Sequence, residues 1–149
     1  MISIRKAIPE DADSIIDFQQ KMALETEGFE LVPATVTKGV HAVFSNPMLG
    51  KYYVAEENNK VIASLLITYE WSDWRNTNVW WSQSVYVLPD YRRKGIFRSM
   101  YSHIKDEAEK KGVAGLRLYV ETNNLKAMNT YEALGMKSNH YTMYEWLRE

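Results

Sequence analysis

The chain has 149 residues, 18 Lys and Arg against 19 Asp and Glu, 46% hydrophobic residues and no Cys. That length fits a single domain over residues 1–149, and a net charge of -1 gives no global reason to bind nucleic acid. The lack of Cys removes disulfides, thiolate nucleophiles and Cys-ligated zinc, and no apolar run is long enough to span a bilayer, so a cytoplasmic protein without membrane contact is expected.

Ile2–Ala7 alternates like an opening strand and lacks a signal-peptide core. After Pro9, the residues Ala12, Ile15, Ile16, Gln19, Met22 and Ala23 recur at helical spacing, predicting an amphipathic helix that ends near Gly28. A second helix is expected across Thr35–Phe44, stopped by Asn46-Pro47. The period then changes. Tyr52–Glu56 and Val61–Tyr69 read as strands joined by a hairpin turn at Glu57-Asn58-Asn59-Lys60. A polar segment, Trp71–Asn76, leads to a strand at Val79–Leu88. A helix carrying Ile96, Phe97, Met100, Ile104 and Ala108 follows, closed by Lys110, Lys111 and Gly112. Gly115–Glu121 reads as a strand, Asn124–Leu134 as a helix stopped by Gly135, and Met136–Trp146 as a final strand. The order βααβββαβαβ predicts an α/β (α+β) fold with a mixed, mostly antiparallel sheet and helices on both faces.

The segment Ser84-Val85-Tyr86-Val87-Leu88-Pro89-Asp90-Tyr91-Arg92-Arg93-Lys94-Gly95-Ile96-Phe97-Arg98 carries the most chemical information. A strand runs into a glycine-containing turn and then directly into a helix. The first amides of a helix have no internal partner and lie at the positive end of its dipole, so such a turn suits a phosphate or pyrophosphate. Arg92, Arg93, Lys94 and Arg98 place four cations where they oppose that dipole. The cost makes sense if an anion sits there, although charge runs are commonly just solvated surface. The P-loop and dinucleotide glycine patterns are absent.

Arg92-x-x-Gly95-x-Phe97 resembles the acetyl-CoA-binding motif of the GNAT family of N-acetyltransferases, Gln/Arg-x-x-Gly-x-Gly/Ala. Phe97 departs from it, since Gly or Ala is usual there. A Phe keeps its backbone N–H but must turn its ring into the core beside Met100 and Tyr101. A second family motif matches completely: Asn124, Ala127, Tyr131, Gly135 and the apolar Met136. Ala127, Tyr131 and Gly135 lie near one helical stripe. The resemblance covers essentially the whole chain and implies the GNAT fold.

It also implies transfer of an acetyl group from acetyl-CoA to a primary amine, small or peptidyl, by direct attack in a ternary complex, without a metal. The implied cofactor anchors are Arg92, Arg93, Lys94, Gly95, Ile96, Phe97 and Arg98, with Val85 and Val87 pairing the pantetheine arm. The N–H of Tyr86 or a neighbour polarises the thioester once the strand pairing loosens. Asn124 holds the cofactor arm or fixes the local backbone. Tyr131 is the candidate general acid, a phenol of pKa ~10 able to protonate a thiolate of pKa ~8.5. Gln83 and Ser84 occupy a place where many relatives carry a Glu, and a water held by either could relay the amine proton to a more distant carboxylate. Among the carboxylates Glu25, Glu27, Glu30, Glu70 and Asp73, position favours Glu27 and Glu70. His41, His103 and His140 show no metal-ligand spacing.

Five Trp and ten Tyr exceed the needs of a small core. Trp71 and Trp74 could face a cationic amine or simply pack, whereas Trp80 and Trp81 read as packing or interface residues. The family is often dimeric, which leaves a homodimer open. Two rival readings remain: a CoA-binding regulatory or catalytically degenerate domain of this fold, and a nucleic-acid-binding module built on the basic turn.

Overall fold

The computed structural model describes residues 1–148, and the chain divides into two compact units, Met1–Arg117 and Leu118–Glu149. The first contains β1 (Ile2–Lys6), α1 (Ala12–Glu27), α2 (Pro33–Ser45), β2 (Lys51–Glu57), β3 (Lys60–Ser72), β4 (Thr77–Val87), α3 (Ile96–Lys110) and β5 (Gly115–Arg117). Its strands form one sheet in the order β1-β2-β3-β4-β5. β1 to β4 are antiparallel neighbours, and β5 runs parallel to β4.

Strand alternation divides the core between the two faces of the sheet. Tyr53 and Ala55 of β2 pack with Ile96, Met100, Ile104 and Ala108, the buried stripe of α3. Tyr52 and Val54 join Ala12 and Ile15 of α1 and Val40 of α2 on the opposite face. Helices therefore cover both faces, as the pattern predicts. The β2–β3 turn forms where expected, with Asn58 and Asn59 at φ 50° and 63°, the left-handed pair of a tight hairpin.

A partly buried ion network fixes the entry to α1. Arg5 reaches Asp11 at 2.7 Å and Glu56 at 2.6 Å, while Asp11 also accepts the Ile8 N–H at 2.8 Å. Among the described residues no helix is long and apolar enough to cross a membrane.

In the second unit, α4 spans Leu125–Ala133. Its far end closes through Met136 N–H to the Tyr131 carbonyl at 3.1 Å and Gly135 N–H to the Glu132 carbonyl at 3.0 Å.

Two strand expectations need correction. The segment expected as Gly115–Glu121 is a strand only over Gly115–Arg117, because its ladder with β4 ends there. The final strand expected at Met136–Trp146 does not form among the described residues. Alternation makes a segment able to pair, but a ladder partner makes it a strand, and Tyr141, Met143, Tyr144 and Trp146 are all exposed. Among the described residues the sheet has five strands rather than six.

Candidate active site

The turn before α3 carries two left-handed residues, Arg93 at φ 63° and Gly95 at φ 76°. Alternating hands bring successive backbone N–H groups to one side, a concavity suited to an anion. Gly95 is the N-cap of α3 and no side chain caps the helix, so its first-turn amides have neither an internal partner nor a cap. A Cβ built on Gly95 would meet nothing within 4 Å. Its conformation, rather than crowding, therefore calls for glycine, and the space in front is open. Arg93, Lys94 and Arg98 are exposed around it. The Phe97 ring turns toward Tyr101, with centroids 6.3 Å apart, and packs on the α3-side core as the sequence requires.

β4 delivers the chain to this turn and changes character along its length. Its ladder with β5 covers Val79–Trp81 and ends at Trp81 opposite Arg117. From Ser82 to Val87, β4 pairs only with β3 among the described residues. One rung of that pairing is irregular. Ser64 faces Tyr86 while Leu66 faces Gln83, so Ser84 and Val85 oppose Leu65 alone. Ser84 absorbs this bulge at φ 52°. The extra residue brings Gln83 and Tyr86 to the same face of the sheet, where strict alternation would separate them. A strand edge without a ladder partner among the described residues, beside a turn suited to an anion, can receive an extended ligand arm through main-chain hydrogen bonds.

Tyr86 is buried, with its ring 5.4 Å from Phe18 of α1, and its hydroxyl donates to Glu25 Oε2. Arg92 donates from Nη2 to Glu25 Oε1 and from Nε to the Val87 carbonyl, each at 2.8 Å. The bonds from Tyr86 and Arg92 hold the Glu25 carboxyl below its usual range. Burial, and then the Glu25 contact, push the Tyr86 phenol up to about 12.

Glu27 is exposed at the end of α1, on the opposite side from Phe18. Glu70 accepts Trp81 Nε1–H at 2.7 Å and Arg117 at 2.9 Å, which keeps its carboxyl below the ordinary range. Gln83 donates its amide to Thr68 Oγ1. In the second unit, Asn124 caps α4 by accepting the Ala127 N–H at 3.1 Å, so it fixes local backbone. Burial raises the Tyr131 pKa and favours its protonated form.

The signal separating Glu25 from Glu27 was present in the sequence. Glu25 lies seven residues after Phe18, about two helical turns, and so shares the sheet-facing side. Glu27 lies nine residues after it, about two and a half turns.

Trp80 is buried as expected, while Trp71 and Trp74 are 61% and 88% exposed at the tip of the β3–β4 hairpin. A cleft of about 340 Å³ on the α1–α2 connection is lined by Phe29, Leu31, Val32 and Val36, with Glu30 at its edge. Among the described residues no group of three His, Asp or Glu side chains is placed to hold a metal ion.

The acetyltransferase (GNAT) family matches residues 16–136, and the chain belongs to that family. It is 41% identical over 63 residues to the [ribosomal protein bS18]-alanine N-acetyltransferase of Escherichia coli (strain K12), covering 39% of this chain and 43% of that protein. It is 35% identical over 75 residues to the thialysine N-epsilon-acetyltransferase of Bos taurus, covering 50% of this chain and 44% of that protein. The matches thus span less than half the length of these relatives. The crystal structure of a possible acetyltransferase from Clostridium difficile 630 is 47% identical, with a TM-score of 0.92 over 100% of this chain and 99% of that one.

Proposed function

We propose that the chain is an acetyl-CoA-dependent N-acetyltransferase acting on a primary amine, small or peptidyl, by direct attack. The observation that carries this reading is the turn Arg92–Arg98, with its left-handed Arg93 and Gly95 and uncapped α3 amides, standing at the end of a half-unpaired β4. The amides from Lys94 to Arg98 receive the diphosphate, and Arg93, Lys94 and Arg98 surround it with positive charge. Main-chain groups of Val85 and Val87 pair the pantetheine arm, and the N–H of Tyr86 or a neighbour at the bulge polarises the thioester carbonyl.

The neutral amine attacks that carbon, a C–N bond forms, and the C–S bond breaks. Tyr131 returns a proton to the thiolate, an assignment that rests on the second motif and on its burial-favoured protonated state. The proton lost by the amine passes to a water held near Gln83 or Ser84 and then to solvent. The relatives are named for an alanine of a ribosomal protein and for the ε-nitrogen of thialysine, which supports an amine acceptor.

The test is thiol release from acetyl-CoA across a panel of small amines and peptide amino termini. Amine-dependent release supports the reading. CoA binding without turnover on any acceptor would instead favour a catalytically silent CoA-binding domain, a second reading prompted by Gln83 and Ser84 standing where a basic carboxylate would serve.

A further inference from the structure

Arg92 opens the acetyl-CoA motif, and its guanidinium is committed elsewhere than to the space before α3. Nε bonds the Val87 carbonyl and Nη2 bonds Glu25, both at 2.8 Å, while the guanidinium carbon lies 5.2 Å from the Tyr86 ring centroid. Glu25 spends its second oxygen on the Tyr86 hydroxyl. One carboxylate on α1 therefore joins the helix, the end of β4 and the residue immediately before left-handed Arg93. Charge alone argues against an acid here, since a carboxylate beside a diphosphate site weakens anion binding. Both of its oxygens are nonetheless engaged, and the pairing is directional.

We infer that Glu25 is a positioning residue: it clamps Arg92 against β4 and Tyr86, and so fixes the turn whose amides take the diphosphate. Arg92 is then a strut rather than a phosphate ligand. This inference rests on the reading of that turn as the CoA site. The Glu25 carboxyl, held below its usual range by Tyr86 and then by Arg92, stays charged at neutral pH and keeps the clamp closed.

The two roles of Glu25 predict opposite signs, which makes the test direct. CoA is titrated calorimetrically into the full chain and into Glu25→Gln, Glu25→Ala, Arg92→Ala and Arg93→Ala, at two salt concentrations. Thermal midpoints establish that each variant is folded. The expected result is about tenfold weaker binding for Glu25→Ala and a smaller loss for Glu25→Gln, which still accepts the Tyr86 hydroxyl. The double variant Glu25→Ala/Arg92→Ala binds no more weakly than either single variant, because the two residues act as one unit. Arg93→Ala lowers the salt dependence of binding, whereas the double variant Glu25→Ala/Arg92→Ala, which leaves the net local charge unchanged, does not alter it.

Equal or tighter CoA binding by Glu25→Gln overturns the strut, as does a reduced salt dependence for the charge-balanced double variant Glu25→Ala/Arg92→Ala. Should Glu25→Ala not fold, Glu25→Gln alone carries the sign. A wild type that fails to bind CoA removes the site itself. A wild type that binds beside an unimpaired Glu25→Gln removes only the strut.

Discussion

The ammonium of Lys51 rests 4.0 Å from the ring centroid of Trp80, in a residue only 9% exposed. Burial, then the neighbouring Lys111 and Lys6, lower its pKa to about 8, with Glu107 acting in the opposite sense. Folding therefore disfavours its charged form, and the ring face offsets only part of that. A base lowered from 10.5 to about 8 makes a contribution to stability that is fully present above pH 10.5 and is lost as pH falls through 8. Lys51→Met is expected to raise stability at pH 7 by at least about 1 kcal/mol and to flatten the profile between these values. Urea unfolding at pH 7 and pH 10 checks this. A less stable variant at pH 7 would contradict it.

Ser84 holds the β4 bulge in a conformation that L-residues adopt at a cost of roughly 1 kcal/mol. Ser84→Gly should stabilise the fold by about 0.5–1 kcal/mol, and Ser84→Val should destabilise it by about 1–2 kcal/mol. If the bulge shapes the open edge of β4, Ser84→Val also weakens CoA binding. Chemical denaturation paired with a CoA titration separates the two effects.

Asp11 is 6% exposed, and burial alone would raise its pKa. Hydrogen bonds from Arg5 and the Ile8 N–H outweigh that and lower it below 3.8. The stability from this pair is fully present above 3.8 and is lost as pH falls through the folded value. Arg5→Ala leaves a buried carboxylate without its partner and is expected to cost about 3 kcal/mol at pH 7. Its stability should vary less than the wild type's below pH 4. A variant within about 0.5 kcal/mol of wild type at pH 7 would refute the assignment.

Tyr131→Phe removes the phenolic proton and keeps the ring. With an acceptor found in the amine panel, kcat should fall by about 100-fold or more, and the loss should be in kcat rather than in CoA affinity. Undiminished turnover would remove Tyr131 as the acid.

Much of the fold was legible because apolar spacing decides it. Ile96, Met100, Ile104 and Ala108 recur every four residues and are the buried face of α3, and Asn58-Asn59 marks the hairpin. The glycine-containing turn between β4 and α3 was legible for a different reason, as a strand, a glycine and a helix in succession, whereas the left-handed conformations of Arg93 and Gly95 were not.

Less could be read from exposed polar residues, whose partners lie far away in sequence. Arg92 reads from sequence as a fourth phosphate cation, yet its acceptors are Val87, five positions earlier, and Glu25, 67 positions earlier. Glu25 reaches Tyr86 and Arg92 through its helical phase, which Glu27 does not share. The last strand failed for a related reason, since alternation in Met136–Trp146 says nothing of whether a partner edge exists.

The most direct measurement is calorimetric titration of CoA into the wild type and into Gly95→Val. The account predicts wild-type binding in the micromolar range, roughly 8 kcal/mol. It also predicts at least about tenfold weaker binding for Gly95→Val, because a β-branched residue does not hold a φ of 76°. No heat from the wild type at millimolar CoA, or equal affinity for the two chains, would contradict it.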